Sequence, residues 1–149
     1  MTFVIWLIIV AVLWIVIYVR DRQRSAAVRA FAVRCDFHYL GDGVPKSLTL
    51  NDTQLERATS ISNVVEGDQG GKRFIAFDCR IGSGRYSWSR TVIAVEARAD
   101  VLSATFFNPK FAVDQSGDWA LFYLPKKPFW PGGLMSVEEL ESYLKALAS

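Results

Sequence analysis

The sequence predicts an α+β protein: an N-terminal transmembrane helix, then a mainly antiparallel β-sheet of five to seven strands, then a C-terminal amphipathic helix. Three observations carry this prediction. Phe3–Val19 is a run of 17 residues without a charge. Downstream, apolar residues alternate with polar ones between short Gly-rich connections, which suit hairpins because parallel strands need crossovers of a dozen residues. Near the end, Val137, Leu140, Leu144 and Leu147 recur at helical spacing.

The first element is justified by length. Seventeen helical residues span about 26 Å, enough for a hydrocarbon core with little tilt. Trp6, Trp14 and Tyr18 suit the interfaces, Tyr18 best because charges follow it within a turn. A cleaved secretory signal is the plain alternative. Against it, no Lys or Arg precedes the run, and Arg20-Asp-Arg-Gln-Arg24 stands where a cleavage site should be small and neutral. Between Arg20 and Arg34 there are five Arg against Asp21, a local charge of +4. That asymmetry places the N-terminus outside and the rest of the chain in the cytoplasm of a cell membrane. Cys35 and Cys79 are isolated thiols with no CxxC spacing, as expected of a reducing compartment.

The expected organisation is therefore an anchor over 1–19, a basic juxtamembrane helix over 20–36 and a soluble α+β domain over 37–149. The basic helix is rich in Ala and free of Gly and Pro. Its Arg20, Arg22, Arg24 and Arg29 could lie against anionic head groups, or serve only as a topology signal. Gly41-Asp-Gly-Val-Pro45 then breaks the chain.

Thr59–Gly67 and Lys72–Ile81 read as two strands joined by Asp68-Gln-Gly-Gly71. Pairing Gly67 with Lys72 would set Glu66 opposite Arg73 and Val64 opposite Ile75. Gly82-Ser-Gly-Arg-Tyr86 is the next turn. Ser87–Arg98 follows, with Thr91, Ile93, Val95 and Ala97 on one face. Val101–Phe107 and Phe111–Asp114 are shorter candidates, and Trp119–Leu124 is apolar on both faces, which marks a central strand. A pleckstrin-homology-like barrel would suit this order of strands and closing helix. The final helix opens on a capping box, Ser136 with Glu139 three residues on.

Net charge is only +2, and from Cys35 onward twelve Lys/Arg face fourteen Asp/Glu, so a nucleic-acid module built on basicity is excluded. His38 is the only histidine and no second ligand cluster accompanies it, so neither metal nor cofactor is expected. No Gly-x-Ser-x-Gly elbow or phosphate loop is present, and no catalytic residue is assigned. The best polar cluster is Glu66, Asp78, Arg80 and Arg90. Its functional reading is an acid/base or anion site; its plain reading is a solvated sheet face with cross-strand ion pairs. Lys126, Lys127 and Trp130, in a loop with three prolines, could touch the membrane surface.

Asn63-Val-Val-Glu-Gly67, Phe77-Asp-Cys-Arg-Ile-Gly82, Arg90-Thr-Val92 and Gln115-Ser-Gly-Asp-Trp119 resemble a group of uncharacterised bacterial single-pass membrane-anchored proteins. The resemblance covers most of the soluble part and implies a bacterial origin and a shared fold. It carries no activity. Cys79 stands where that group suggests an aromatic residue.

The leading expectation is a non-enzymatic single-pass protein whose cytoplasmic domain binds a protein partner or acts as a scaffold. The alternatives are a membrane-tethered enzyme using the Glu66/Asp78/Arg90 region, and an anionic-lipid sensor using the arginine helix with Lys126 and Lys127.

Overall fold

The computed structural model describes residues 2–84, 87–97, 110–125 and 132–149. Helix α1 runs without a break from Thr2 to Arg34. Its first part is exposed on all sides, with a mean hydropathy of 2.7 over its most apolar stretch, so it is long and apolar enough to cross a membrane. Farther along, Val28, Phe31 and Ala32 are buried. The basic helix, read as continuing from the anchor, is one helix with it, and its last turns belong to the core of the domain.

Its end is a Schellman-type stop. Asp36 takes a left-handed φ of 58°. The Phe37 amide then donates to the Ala32 carbonyl at 2.7 Å, and the Asp36 amide to Val33 at 3.4 Å. Phe37 folds back edge-on to Phe31, ring centroids 5.9 Å apart, which is the apolar contact that usually accompanies such a stop. A Cβ on Gly67 would fall inside the Phe37 ring, so glycine makes room for this clasp.

Among the described residues seven strands follow: β1 (His38–Gly41), β2 (Ala58–Gln69), β3 (Lys72–Ile81), β4 (Trp88–Glu96), β5 (Ala112–Ser116), β6 (Trp119–Tyr123) and β7 (Gly132–Gly133). Helix α2 (Val137–Ala148) closes the chain. The sheet order is β1-β2-β3-β4-β6-β5, antiparallel at every step, with β7 added parallel to β4. The path is open, β1 and β5 being its edges, so a pleckstrin-homology-like closure is not formed among the described residues. The strand expected over 101–107 lies outside them.

The β2–β3 hairpin is tighter than expected. Gln69 pairs with Lys72 across Gly70 and Gly71, whose φ values are 60° and 74°. Two positive φ values make the primed turn that matches strand twist. Glu66 therefore lies opposite Ile75 and reaches Arg73 diagonally to form an ion pair.

The two faces of the sheet are covered differently. One carries Val65, Phe74, Ala76, Ile93, Val95 and Phe122 under α1 and α2. Every member of the predicted α2 stripe, Val137, Leu140, Leu144 and Leu147, is buried there, each adding about 1.5–3 kcal/mol of burial. The other face carries Val64, Ile75, Phe77, Val92, Leu121 and Tyr123 under Leu48, Leu50 and Leu55, from the segment between β1 and β2. β6, buried along its whole length, lies inside the sheet as its two-faced apolarity predicted.

Candidate functional site

Where α1 meets the sheet, one carboxylate organises the contact. Asp78 lies on β3 at the same parity as Phe74 and Ala76, hence on the helix-covered face. Arg24 donates to it from Nε at 2.9 Å and from Nη2 at 3.0 Å. Thr91, opposite on β4, donates its hydroxyl at 2.7 Å, and Asn63 donates Nδ2 at 3.0 Å. The Arg24 Nη1 reaches the Met135 carbonyl at 2.7 Å, and the Met135 amide donates to Thr91 Oγ1 at 3.0 Å. One knot thus joins α1, β2, β3, β4 and the lead-in to α2. Both charges are largely withdrawn from water, with 17% and 8% of their side chains exposed, so the pair is an internal fastener and the carboxylate has its acceptor sites filled.

Asn63 reaches the knot through a β-bulge. The register of β2 on β3 shifts between Ser62 and Val65, and Asn63 takes a φ of 54°, a conformation Asn tolerates well. The extra residue swaps the faces of the strand. Beyond the bulge Ser62 lies opposite Asp78, and Ile61 lies opposite Cys79. Ser60 and Ser62 thereby join Asp78 and Arg80 on one side.

Those residues line a cleft of about 330 Å³ beside the knot, completed by Asp21, Ser25 and Arg24 from α1, Asp42 from the turn after β1, and Ser89 and Leu134. Arg80 gives one nitrogen to the Ser87 hydroxyl at 2.7 Å.

Across the sheet lies a second polar centre. Arg90 is only 2% exposed, stacked with its guanidinium carbon 3.7 Å from the Trp88 ring centroid and 4.4 Å from that of Tyr123. Its Nε and Nη1 are buried without a hydrogen-bond partner among the described residues, and burial holds its pKa below the ordinary value. The Tyr123 hydroxyl donates to Asp114 at 2.7 Å, and burial pushes that hydroxyl's pKa upward. Burial likewise pushes the neighbouring Cys79 thiol up to about 12, which leaves it protonated and unreactive at neutral pH.

The four residues expected to cluster are therefore divided. Asp78 and Arg80 share the helix side, whereas Arg90 and Glu66 sit on the other, Glu66 engaged by Arg73. Residue parity within β3 and β4 already separates Asp78 from Arg90, because directly paired residues share a face and Asp78 pairs with Thr91. Among the arginines expected at the membrane surface, Arg24 turns inward to Asp78. Arg22 stacks on Tyr18 at 5.2 Å and Arg29 on Tyr39 at 4.8 Å, while Arg20 is exposed. Lys126, Lys127 and Trp130 lie outside the described residues. Asp21, Ser25, Asp42, Asn63, Ser60 and Ser62 were not singled out by the sequence. Only the bulge and the docking of α1 on the sheet bring them to one place, and neither follows from local pattern. Among the described residues no group of His, Cys, Asp and Glu could hold a metal ion. Comparison with protein-family models, with curated proteins and with solved structures finds no match.

Proposed function

We propose that this chain is a single-pass membrane protein, of bacterial inner-membrane type, whose domain lies on the cytoplasmic side and binds a partner at the membrane surface. The observation that carries this reading is the continuity of α1, which passes from a span-length apolar segment into the core without a linker. A cleaved signal is disfavoured by Arg20-Asp-Arg-Gln-Arg24, which stands where a cleavage site should be small and neutral. The orientation rests on the five Arg that follow the span between Arg20 and Arg34. Binding is favoured over catalysis because Asp78 is occupied by Arg24, Asn63 and Thr91, while Glu66 and Arg90 face the other way. The anionic-lipid reading of the arginine helix is weakened by the inward turn of Arg24.

Topology is tested with a reporter, Ser149→Cys, in a chain carrying Cys35→Ser and Cys79→Ala. Protection from an impermeant maleimide until lysis is expected, and labelling in intact cells would overturn the orientation. Binding is tested with a photo-crosslinking residue at Ser60 in native membranes. An adduct absent from the same probe at Asp118 is expected; identical patterns at the two positions would end the binding reading.

A further inference from the structure

We infer that the cleft beside the Arg24–Asp78 knot is a binding site for the head group of a zwitterionic phospholipid bearing a primary ammonium; this rests on the membrane-anchored reading above. The first argument is depth. The apolar run ends at Val19, so Asp21 to Ser25, the α1 wall of the cleft, lie about 3–9 Å farther along the helix axis. The head-group layer occupies roughly the first 5–7 Å outside the hydrocarbon core of each leaflet. The cleft therefore lies at the level of the head groups, not out in the cytoplasm.

The second argument is charge. Arg24 and Asp78 neutralise each other within the wall. What remains is Asp21 and Asp42 against Arg80, and neither of those two carboxylates has a partner among the described residues. Two carboxylates attract an ammonium and reject a purely anionic head group, whereas one guanidinium, bonded among the described residues through a single nitrogen, suits a phosphate. The third argument is hydrogen bonding. Ser60 and Ser62 present hydroxyls into the cleft from the bulged side of β2, donors suited to phosphate and ester oxygens. At about 330 Å³ the space is at the lower end of the ordinary range for small-ligand sites, which suits a head group and its glycerol.

The test uses the full chain in nanodiscs holding equal parts of phosphatidylethanolamine, phosphatidylcholine and phosphatidylglycerol, released into a native mass spectrometer. Retention of phosphatidylethanolamine about tenfold above the other two is expected. Phosphatidylcholine keeps the phosphate and the charge but has no ammonium N–H, and phosphatidylglycerol has no ammonium at all. The double variant Asp21→Asn, Asp42→Asn should abolish the preference; Arg80→Gln should lower retention of phosphatidylethanolamine and phosphatidylcholine together. Asp118→Asn, in the β5–β6 turn, should change nothing, and circular dichroism establishes that each variant is folded. Equal retention of the three lipids, or a preference that survives the double variant, would overturn the assignment. So would displacement of the retained lipid by millimolar glycerophosphoethanolamine, since the ligand would then be a soluble zwitterion. Failure here leaves the binding reading standing, because that reading falls only on the Ser60 crosslinking comparison.

Discussion

Asp78 takes four hydrogen bonds and is largely withdrawn from water, so the cost of losing a partner falls on the partner left behind. Arg24→Ala should destabilise the domain by about 3–5 kcal/mol, the penalty for stranding a buried charge. The measurement is the urea midpoint of the full chain in detergent. Arg24→Leu combined with Asp78→Leu should cost clearly less than the sum of the two single changes; strict additivity would show that the pair is not coupled. A second residue-scale effect concerns Cys79. Its thiol is pushed from 9.0 up to about 12 in the folded state, so below about pH 9 both states keep the proton. Above that, the unfolded chain releases it and the folded one does not. Stability is thus full below about pH 9 and falls as pH rises towards 12, by at most about 1.4 kcal/mol per pH unit. Melting temperature followed through this window should fall less steeply for Cys79→Ala, with Tyr123 supplying the slope that remains.

At the scale of elements, α2 was the most legible part of the chain. Its stripe and its cap are both local: Glu139 N–H donates to the Ser136 hydroxyl at 3.1 Å, and Ser136 N–H to the Glu139 carboxylate at 2.9 Å. Ser136→Ala should cost about 0.5–2 kcal/mol, seen as a lower thermal midpoint, and Ser136→Asp should restore most of it. The long strands were legible for the same reason, since alternation is a property of neighbours. The register of β2 was not. It depends on which glycines form the turn and on a bulge at Asn63, and both are chosen by packing across the sheet. The lid formed by Leu48, Leu50 and Leu55 also escaped notice, because three leucines in a segment without a period give no face to read. The candidate site suffered most. Asp78, Arg80 and Arg90 were visible as residues, but their grouping requires strand parity, and Arg24 enters only because α1 does not end at the membrane.

At the scale of the whole molecule, the unbroken α1 makes the span and the sheet one body. Spin labels at Val10→Cys in the span and Asp118→Cys in the β5–β6 turn, with the native cysteines replaced as above, should give a single narrow distance distribution in nanodiscs. A broad one would reveal a hinge near Arg20. The same distribution should broaden in Arg24→Ala, where α1 loses its fastening to β3. Rigidity of this kind also has a rotational side. Each residue of a helix turns its side chain by about 100°, and the Arg24–Asp78 knot fixes which of those directions points at the sheet. The side of the span that faces a neighbouring helix in the bilayer is then bound to one side of the sheet. Two copies meeting through Trp6 and Trp14 would present their domains at a different angle from two meeting through Ile9 and Val16. Lateral contacts among lipids are in this way converted into a defined azimuth outside them, and any twist applied to the span is delivered to the strands as torque.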